Sequence, residues 1–443
     1  MIARRLLDWS ESLRRKPLII RGARQVGKTY SVRELGKERF DELAVIDLER
    51  NRRWHRIFAG DLDARRILTE LRIVLDKRIE PGRTLLFLDE IQSCPRAIMA
   101  LRYLHEEIPA LHVIAAGSLL DFALTDISFP VGRVQFLDMH PLVFAEYLWA
   151  IGKHQAAEVV LSEPGKVPDT VHDSLLEDLR DYFFVGGMPE AVLTYATSRS
   201  IHDSRTVHLE LCESYRQDFA RYAPRADPYC LDAVFAATAR QVGRQVKYTN
   251  LAEGYSGATI KRAFDLLVKA RVVRKIPATS PSGLPLGAGA SSRRFKVLMV
   301  DIGLMQHLRG LPTEIEHRRA DLLKIHEGDM AEQFVGQEMV ASQGPDLYYW
   351  ARQARSSTAE VDFLSLVGSS IVPVEVKSGP SGRLRSLHLL LEAYPNCERG
   401  YVFSTAPYAE LPEHKLTFIP LYFAFRATTP EGHDPDRTTP SSR

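Results

Sequence analysis

Residues Gly22-Ala23-Arg24-Gln25-Val26-Gly27-Lys28-Thr29 follow the pattern G-x-x-x-x-G-K-[ST]. They lie between the apolar run Leu18-Ile19-Ile20 and a stretch that continues without Gly or Pro to Gly36. Few folds accept that order: it requires a buried strand, a tight loop and a helix, the repeating unit of a parallel sheet. Backbone N–H groups of such a loop converge on one point, and the helix dipole adds partial positive charge there, so phosphate oxygens are its natural guest. Gly22 and Gly27 give turn conformations and a close backbone approach that a Cβ obstructs. Lys28 can reach β- and γ-phosphates, and the Thr29 hydroxyl can ligate Mg²⁺. A chance glycine turn is the plain alternative, and it does not explain why both flanks are right.

A nucleoside triphosphate site of this kind needs acid on a second strand. Thr84-Leu85-Leu86-Phe87-Leu88-Asp89-Glu90 supplies an apolar run closed by two carboxylates. Asp89 is the candidate to hold Mg²⁺ and Glu90 the candidate to orient and deprotonate the attacking water. A third run, Val113-Ile114-Ala115-Ala116-Gly117-Ser118, reads as the strand lying between the other two. Its Ser118 is either the residue that senses the γ-phosphate or an N-cap for Leu119-Leu120-Asp121-Phe122. Arg133, after Gly132, is the candidate charge for completing a neighbour's site, with an ordinary surface arginine as its alternative.

The apolar fraction of 45% with 26% charged residues belongs to a globular chain, and 443 residues allow two to four domains. A net charge of +2 gives no global basic field, so any nucleic-acid surface must be a local patch. Cys94, Cys212, Cys230 and Cys397 form no C-x-x-C pair or metal-ligand spacing, which suits a reducing cytoplasm. The first nine residues carry basic side chains but no long apolar segment, and no run elsewhere approaches about 18 apolar residues. The expectation is a cytoplasmic protein without a membrane partner.

Along the chain, apolar runs at Leu18 to Ile20, Leu43 to Ile46, Leu85 to Leu88, Val113 to Ala116 and Val134 to Leu137 alternate with helical periodicity. The fold class expected for residues 1–150 is therefore α/β, a P-loop NTPase parallel sheet with helices on both faces. Residues 151–228 read as a helical extension or lid, broken by the Pro/Gly-rich stretch Ser162 to Asp169 and by the turn Gly186-Gly187-Met188-Pro189. Residues 229–310 read as a winged helix: Asp232 to Val242, Tyr248 to Ala252, Ser256 to Ala270, then a strand Val272 to Ile276. Its third helix sets Ile260, Phe264, Leu267 and Val268 at helical spacing and carries Lys261, Arg262 and Lys269 on its polar face. That face either meets DNA or is a solvated surface of a packing domain. Ser280 to Ser292 reads as a flexible wing or loop.

Residues 311–426 hold a second constellation. Glu360 to Leu366 and Ile371 to Ser378 read as strands of a hairpin joined at Gly368-Ser369-Ser370. Alternation puts Glu375 and Lys377 on one face, and Asp362 on the partner strand can join them. Two carboxylates for Mg²⁺ beside a lysine form the equipment of a phosphodiesterase, with the spacing of the PD-(D/E)xK nuclease core. Glu332, with Glu338 in reserve, is the candidate acid from the preceding helix. Val361 stands where that motif usually has proline. The bland alternative is an E-x-K ion pair with exposed helix acids. Residues 427–443, rich in Pro, Thr, Ser and charge, read as a disordered tail.

Taken in order, GARQVGKT, LLFLDEIQ, PLVFAEYL from Pro141, VGGMPEAV from Val185, FKVLMVDIGL from Phe295, and the EVDF and VPVEVKSG pair resemble a bacterial and archaeal family of AAA-type ATPases with a C-terminal DUF4143 domain. The resemblance spans about residues 10 to 425 and includes Lys296 and Asp301 of the family's K…D-x-G-L segment, with Val297 where an aromatic is common. It implies an ATP-binding core, a winged-helix region and a C-terminal α/β fold similar to archaeal Holliday-junction resolvases. AAA-type relatives often work as homo-oligomeric rings, and a monomer or dimer is equally compatible with these residues. The expected function is a Mg²⁺-dependent ATPase that binds duplex or branched DNA and couples nucleotide state to a nuclease-like module. The alternatives are an ATP-driven switch with protein partners, or a defence or stress NTPase, each with an inert nuclease-like domain.

Overall fold

Each of the five apolar runs near the N-terminus becomes a strand: β1 Leu18–Arg21, β2 Glu42–Asp47, β3 Thr84–Asp89, β4 His112–Gly117 and β5 Gln135–Asp138. The computed structural model describes residues 1–118, 120–123, 132–222, 226–310, 327–352, 359–379 and 383–429. These fall in two compact units, Met1–His140 and Pro141–Arg443.

In the first unit the sheet order is β2-β3-β4-β1-β5 and every pairing is parallel. All residues of β3 and β4 are buried, as expected when both faces of a parallel strand are covered. Ile19, Ile46, Leu86, Leu88, Val113 and Ala115 share one core with Ile67, Leu68 and Leu71 of helix Ala64–Leu75 and with Ile98, Leu101 and Leu104 of helix Pro95–Glu107. Asp63 caps the first of these helices by accepting from the Arg66 N–H at 2.6 Å. Residues of the other parity, Ile20, Leu85, Phe87 and Ile114, are also buried, and helix Lys28–Arg39 packs on β2, β3 and β4. Burying each Leu, Ile or Phe contributes roughly 1.5–3 kcal/mol. Parallel pairing puts the ends of β1, β3 and β4 at one edge of the sheet, with β4 between the other two.

The second unit begins with helices Phe144–Ala150, His154–Leu161, Asp169–Val185, Pro189–Ser198 and Ile201–Tyr222. Helix Phe144–Ala150 was grouped by sequence with the first 150 residues. It packs within the second unit, where the Phe144 N–H donates to Glu338 Oε1 at 3.0 Å. Helix Pro228–Gln241, a 3₁₀ turn at Tyr248–Asn250, helix Gly257–Lys269 and the antiparallel pair β6 Val273–Pro277 and β7 Phe295–Met299 follow. The segment between β6 and β7, expected as a flexible wing, is tied down. Thr279 Oγ1 donates to the Leu286 carbonyl at 2.7 Å, and Asn396 Nδ2 to the Pro281 carbonyl at 2.7 Å.

Helix Glu327–Gln343 places its polar side chains on backbone groups of its neighbours. The Gln333 amide accepts from Met299 N–H and donates to Met299 C=O, both at 2.9 Å, pairing with the end of β7 as another strand does. Gln337 accepts from Ile302 N–H at 3.0 Å. Strands β8 Tyr348–Ala351, β9 Glu360–Val367, β10 Ser370–Val376, β11 Gly400–Ser404, β12 Ala409–Leu411 and β13 Leu416–Pro420 form a mixed sheet ordered β12-β13-β11-β10-β9-β8. The expected β9–β10 hairpin is antiparallel, with Phe363 opposite Val374. Ala427 to Thr429, expected in the tail, are instead buried; Thr428 Oγ1 donates to the Ala424 carbonyl at 2.8 Å. The remainder of the expected tail, 430–443, lies outside the described residues. No helix among the described residues is long and apolar enough to cross a membrane.

Candidate functional site

At the edge of the first sheet, the loop after β1 carries Gln25 at φ 62° and Gly27 at φ 93°, left-handed conformations that curl the backbone inward. A Cβ on Gly22 falls 2.4 Å from the Met139 carbonyl oxygen, so the close approach of the loop to the end of β5 demands glycine. Ala23 and Val26 are buried and anchor the loop from beneath. Arg21, just before it, holds Asp138 with bonds of 3.0 and 3.1 Å, a tie between β1 and β5 that no sequence motif announces. Arg24 also belongs to the loop.

Lys28 opens the following helix, and its buried Nζ donates to the carbonyls of Gly22 at 3.1 Å and Ala23 at 2.7 Å. Thr29 Oγ1 donates to Asp89 Oδ2 at 2.9 Å, joining the loop to the end of β3. The Asp89 carboxyl is pushed up to about 6 by burial, with the Thr29 hydrogen bond opposing and the adjacent Glu90 reinforcing the rise. Glu90 leaves β3 in a left-handed conformation, φ 49° and ψ 47°, unusual for a non-glycine residue and typical of functional turns. Its Oε2 accepts from Gln92 Nε2 at 2.6 Å. Ser118 is buried at the end of β4.

The parallel sheet thus gathers the loop Gly22 to Thr29, Asp89, Glu90 and Ser118 at one edge. It does not bring Arg133 there. Arg133 precedes β5, whose first residue Gln135 bonds the Pro17 carbonyl before β1, so it lies at the opposite edge. Half exposed, it pairs with Glu106 at 2.8 Å. Register alone removes it from the site of its own chain.

In the second unit the hairpin carboxylates meet an unexpected cation. Lys296, in the middle of β7 and 1% exposed, places Nζ 2.9 Å from Glu332, 2.6 Å from Glu360 and 3.0 Å from Asp362. Burial lowers its proton affinity, but the three carboxylates outweigh burial and hold its ammonium well above the ordinary lysine range. The other Asp362 oxygen accepts from Val376 N–H at 2.9 Å. Lys377 pairs with Glu375 at 2.5 Å, as strand parity requires. Among the described residues Glu375 Oε2 is buried without a partner, and burial with the nearby Asp362 raises that carboxyl against the pull of Lys377.

Among the described residues no group of three or more His, Cys, Asp or Glu side chains is arranged to hold a metal ion. The oxygens expected to ligate Mg²⁺ at Asp362 face ammonium and amide donors instead, so the surroundings of Asp362 do not fit the expected metal. Glu332 joins the cluster; Glu338 does not, being bound to Phe144 N–H. The legible signal for Lys296 was a lysine inside Phe295-Lys296-Val297-Leu298-Met299: such a residue can be buried only among acids.

Asp301, from the same motif, caps helix Ile302–Arg309 and accepts from the Gly187 N–H at 2.6 Å. At Gly186, φ 67°, a Cβ falls 2.3 Å from Asp301 Oδ1, which gives that glycine its physical reason.

Fold and site define an α/β protein with a phosphate-loop NTPase sheet and a C-terminal mixed-sheet domain. Three family models match: an AAA domain over residues 14–148, a domain of unknown function (DUF8612) over residues 176–315, and a domain of unknown function (DUF4143) over residues 327–423. No curated protein matches the chain. Among solved structures, it is similar to the Walker-type ATPase PABY2304 of Pyrococcus abyssi at 16% identity and TM-score 0.43, covering 70% of this chain and 95% of that one. It is also similar to the Aeropyrum pernix ORC1 protein in complex with DNA at 11% identity and TM-score 0.29, covering 71% and 91%. A third similarity, to C. elegans PCH-2, has 14% identity and TM-score 0.26 and covers 45% and 60%.

Proposed function

We propose that the chain is a Mg²⁺-dependent ATPase of the cytoplasm that binds DNA and couples nucleotide state to its C-terminal α/β module. The observation that carries this reading is the 2.9 Å bond from Thr29 to Asp89, which sets a hydroxyl and a buried carboxylate side by side beneath a phosphate-type loop. Two hard oxygen donors suit Mg²⁺, and Thr29 and Asp89 are the residues to hold it. When bound, the ion draws charge from the β- and γ-phosphate oxygens.

The loop N–H groups from Gly22 to Thr29 cradle the phosphates. Lys28 exchanges its carbonyl partners for phosphate oxygens, and the Ser118 hydroxyl donates to the γ-phosphate. Glu90 accepts a proton from water as the water oxygen bonds the γ-phosphorus and the bond to the ADP oxygen breaks. Arg133 can complete a site only in a neighbouring copy.

Support for DNA comes from helix Gly257–Lys269, whose Ile260, Ala263, Phe264 and Leu267 are buried while Lys261, Arg262 and Lys269 are exposed beside Asp265. Two helices, a short turn and the β6–β7 pair have the order of a winged helix. ATP hydrolysis measured with and without Mg²⁺, and with duplex, single-stranded and branched DNA, tests the proposal. Stimulation by DNA that weakens steeply with salt supports it. Absence of ATP binding in the presence of Mg²⁺ overturns it.

Lys296 favours a second reading of the C-terminal module, in which nucleotide state switches its packing and the nuclease-like cluster is inert. Labelled duplex and branched DNA incubated with Mg²⁺ separates the two. Cleavage that disappears in Asp362→Ala and Lys377→Ala variants favours the nuclease, and intact DNA favours the switch.

A further inference from the structure

The Gln92 side chain bonds the residue that follows β3 and lies against the last residue of β4. It is buried, and its Nε2 donates to Glu90 Oε2 at 2.6 Å. Among the described residues its Oε1 is buried with no hydrogen-bond partner, and it lies against Gly117 at the end of β4. A Cβ on Gly117 falls 2.3 Å from that oxygen, far inside contact distance, and the oxygen belongs to the same amide whose Nε2 holds Glu90.

Sheet order gives this contact its meaning. β4 lies between β1, which leads into the phosphate loop, and β3, which ends at Asp89. A carboxylate drawn toward Gly117 is therefore drawn toward the crevice between the acid strand and the strand carrying Ser118. Asp89 is already committed to Thr29, and the Glu90 N–H donates to Asp89 Oδ1 at 3.1 Å, so backbone and metal-side acid are fixed. The Glu90 side chain, turned out of the strand by its left-handed backbone, has Gln92 as the partner that decides where its carboxylate rests.

We infer that Gln92 is a positioning residue for ATP hydrolysis: seated over the Cβ-less Gly117, it aims the Glu90 carboxylate at the attacking water. This rests on the ATPase reading above. Gln92→Leu keeps the volume near the buried site and deletes the amide. Gly117→Ala keeps the amide and displaces it by the added Cβ; its backbone does not lie at positive φ, so alanine is admitted there.

The experiment measures kcat and KM for ATP, and direct ATP binding, in the full chain. Both variants are expected to lower kcat by roughly 10–100-fold, the scale of a misaimed catalytic group, with ATP affinity unchanged. In a Glu90→Gln chain, neither substitution lowers the residual rate further, because the group being aimed is already gone. A merely structural glutamine instead reduces the rate in both backgrounds and weakens ATP binding with it. Wild-type kcat in Gln92→Leu, or an equal fall in the Glu90→Gln background, overturns the inference while leaving the ATPase reading intact. A wild-type chain that binds ATP and never hydrolyses it overturns both.

Discussion

Lys296 Nζ lies 3.0 Å from Asp362 Oδ1, so an internal ammonium sits against the carboxylate that the hairpin pattern marks as a metal ligand. The contact joins β7 to β9, and with Glu332 it ties both to helix Glu327–Gln343. Three sequence-distant elements are held by one cation.

Replacing that cation tests its weight. Lys296→Met fills the space but strands buried carboxylates, and breaking a buried ion pair from one side costs about 3–5 kcal/mol. The urea midpoint of the chain should fall, and adding Glu332→Gln should recover part of the loss by removing one stranded charge. A midpoint equal to wild type in Lys296→Met shows that the cluster is solvated and the assigned role wrong.

Lys28→Ala removes the proposed donors to phosphate oxygens, charge-assisted bonds each worth about 1.5–3 kcal/mol. Titration with a fluorescent ATP analogue should show affinity reduced by roughly tenfold or more for each bond lost. Undiminished affinity places the nucleotide elsewhere.

Glu90→Gln preserves shape and removes the proposed base. ATP should bind as in wild type and turn over roughly 10²–10⁴-fold more slowly. Near-normal turnover in this variant rejects Glu90 as the proton acceptor.

Burial pushes the Glu338 carboxyl from its ordinary 4.5 up to about 8, only partly offset by the Phe144 N–H it accepts from. The folded state therefore holds this proton more tightly than the unfolded chain. Its contribution to stability is full below about pH 4.5 and is lost progressively as pH rises toward 8. Glu338→Gln imitates the protonated side chain and escapes that loss. Thermal unfolding from pH 5 to pH 9 should show the variant gaining on wild type as pH rises. A constant difference across that range rejects the buried proton.

The arrangement of the first candidate site was legible because most of its residues are local in sequence. Gly22, Gly27, Lys28 and Thr29 occupy one loop whose backbone conformation their own spacing dictates, and Asp89 and Glu90 end a run that can only be a buried strand. Period and turn residues also announced the β9–β10 hairpin and the parity that pairs Glu375 with Lys377. Partners set by long-range packing were hidden. Glu338, read as the reserve acid for the hairpin, is taken by the Phe144 N–H, and Arg133, read as a charge for a neighbour's site, pairs with Glu106 at the far edge of its own sheet. Lys296 stands 66 residues before Asp362, and no spacing rule links them. Local covalent geometry is written in neighbouring residues and fixes loops, caps and strand faces, whereas the burial of a charge depends on which distant side chains share its low-dielectric space, and only the assembled fold decides that.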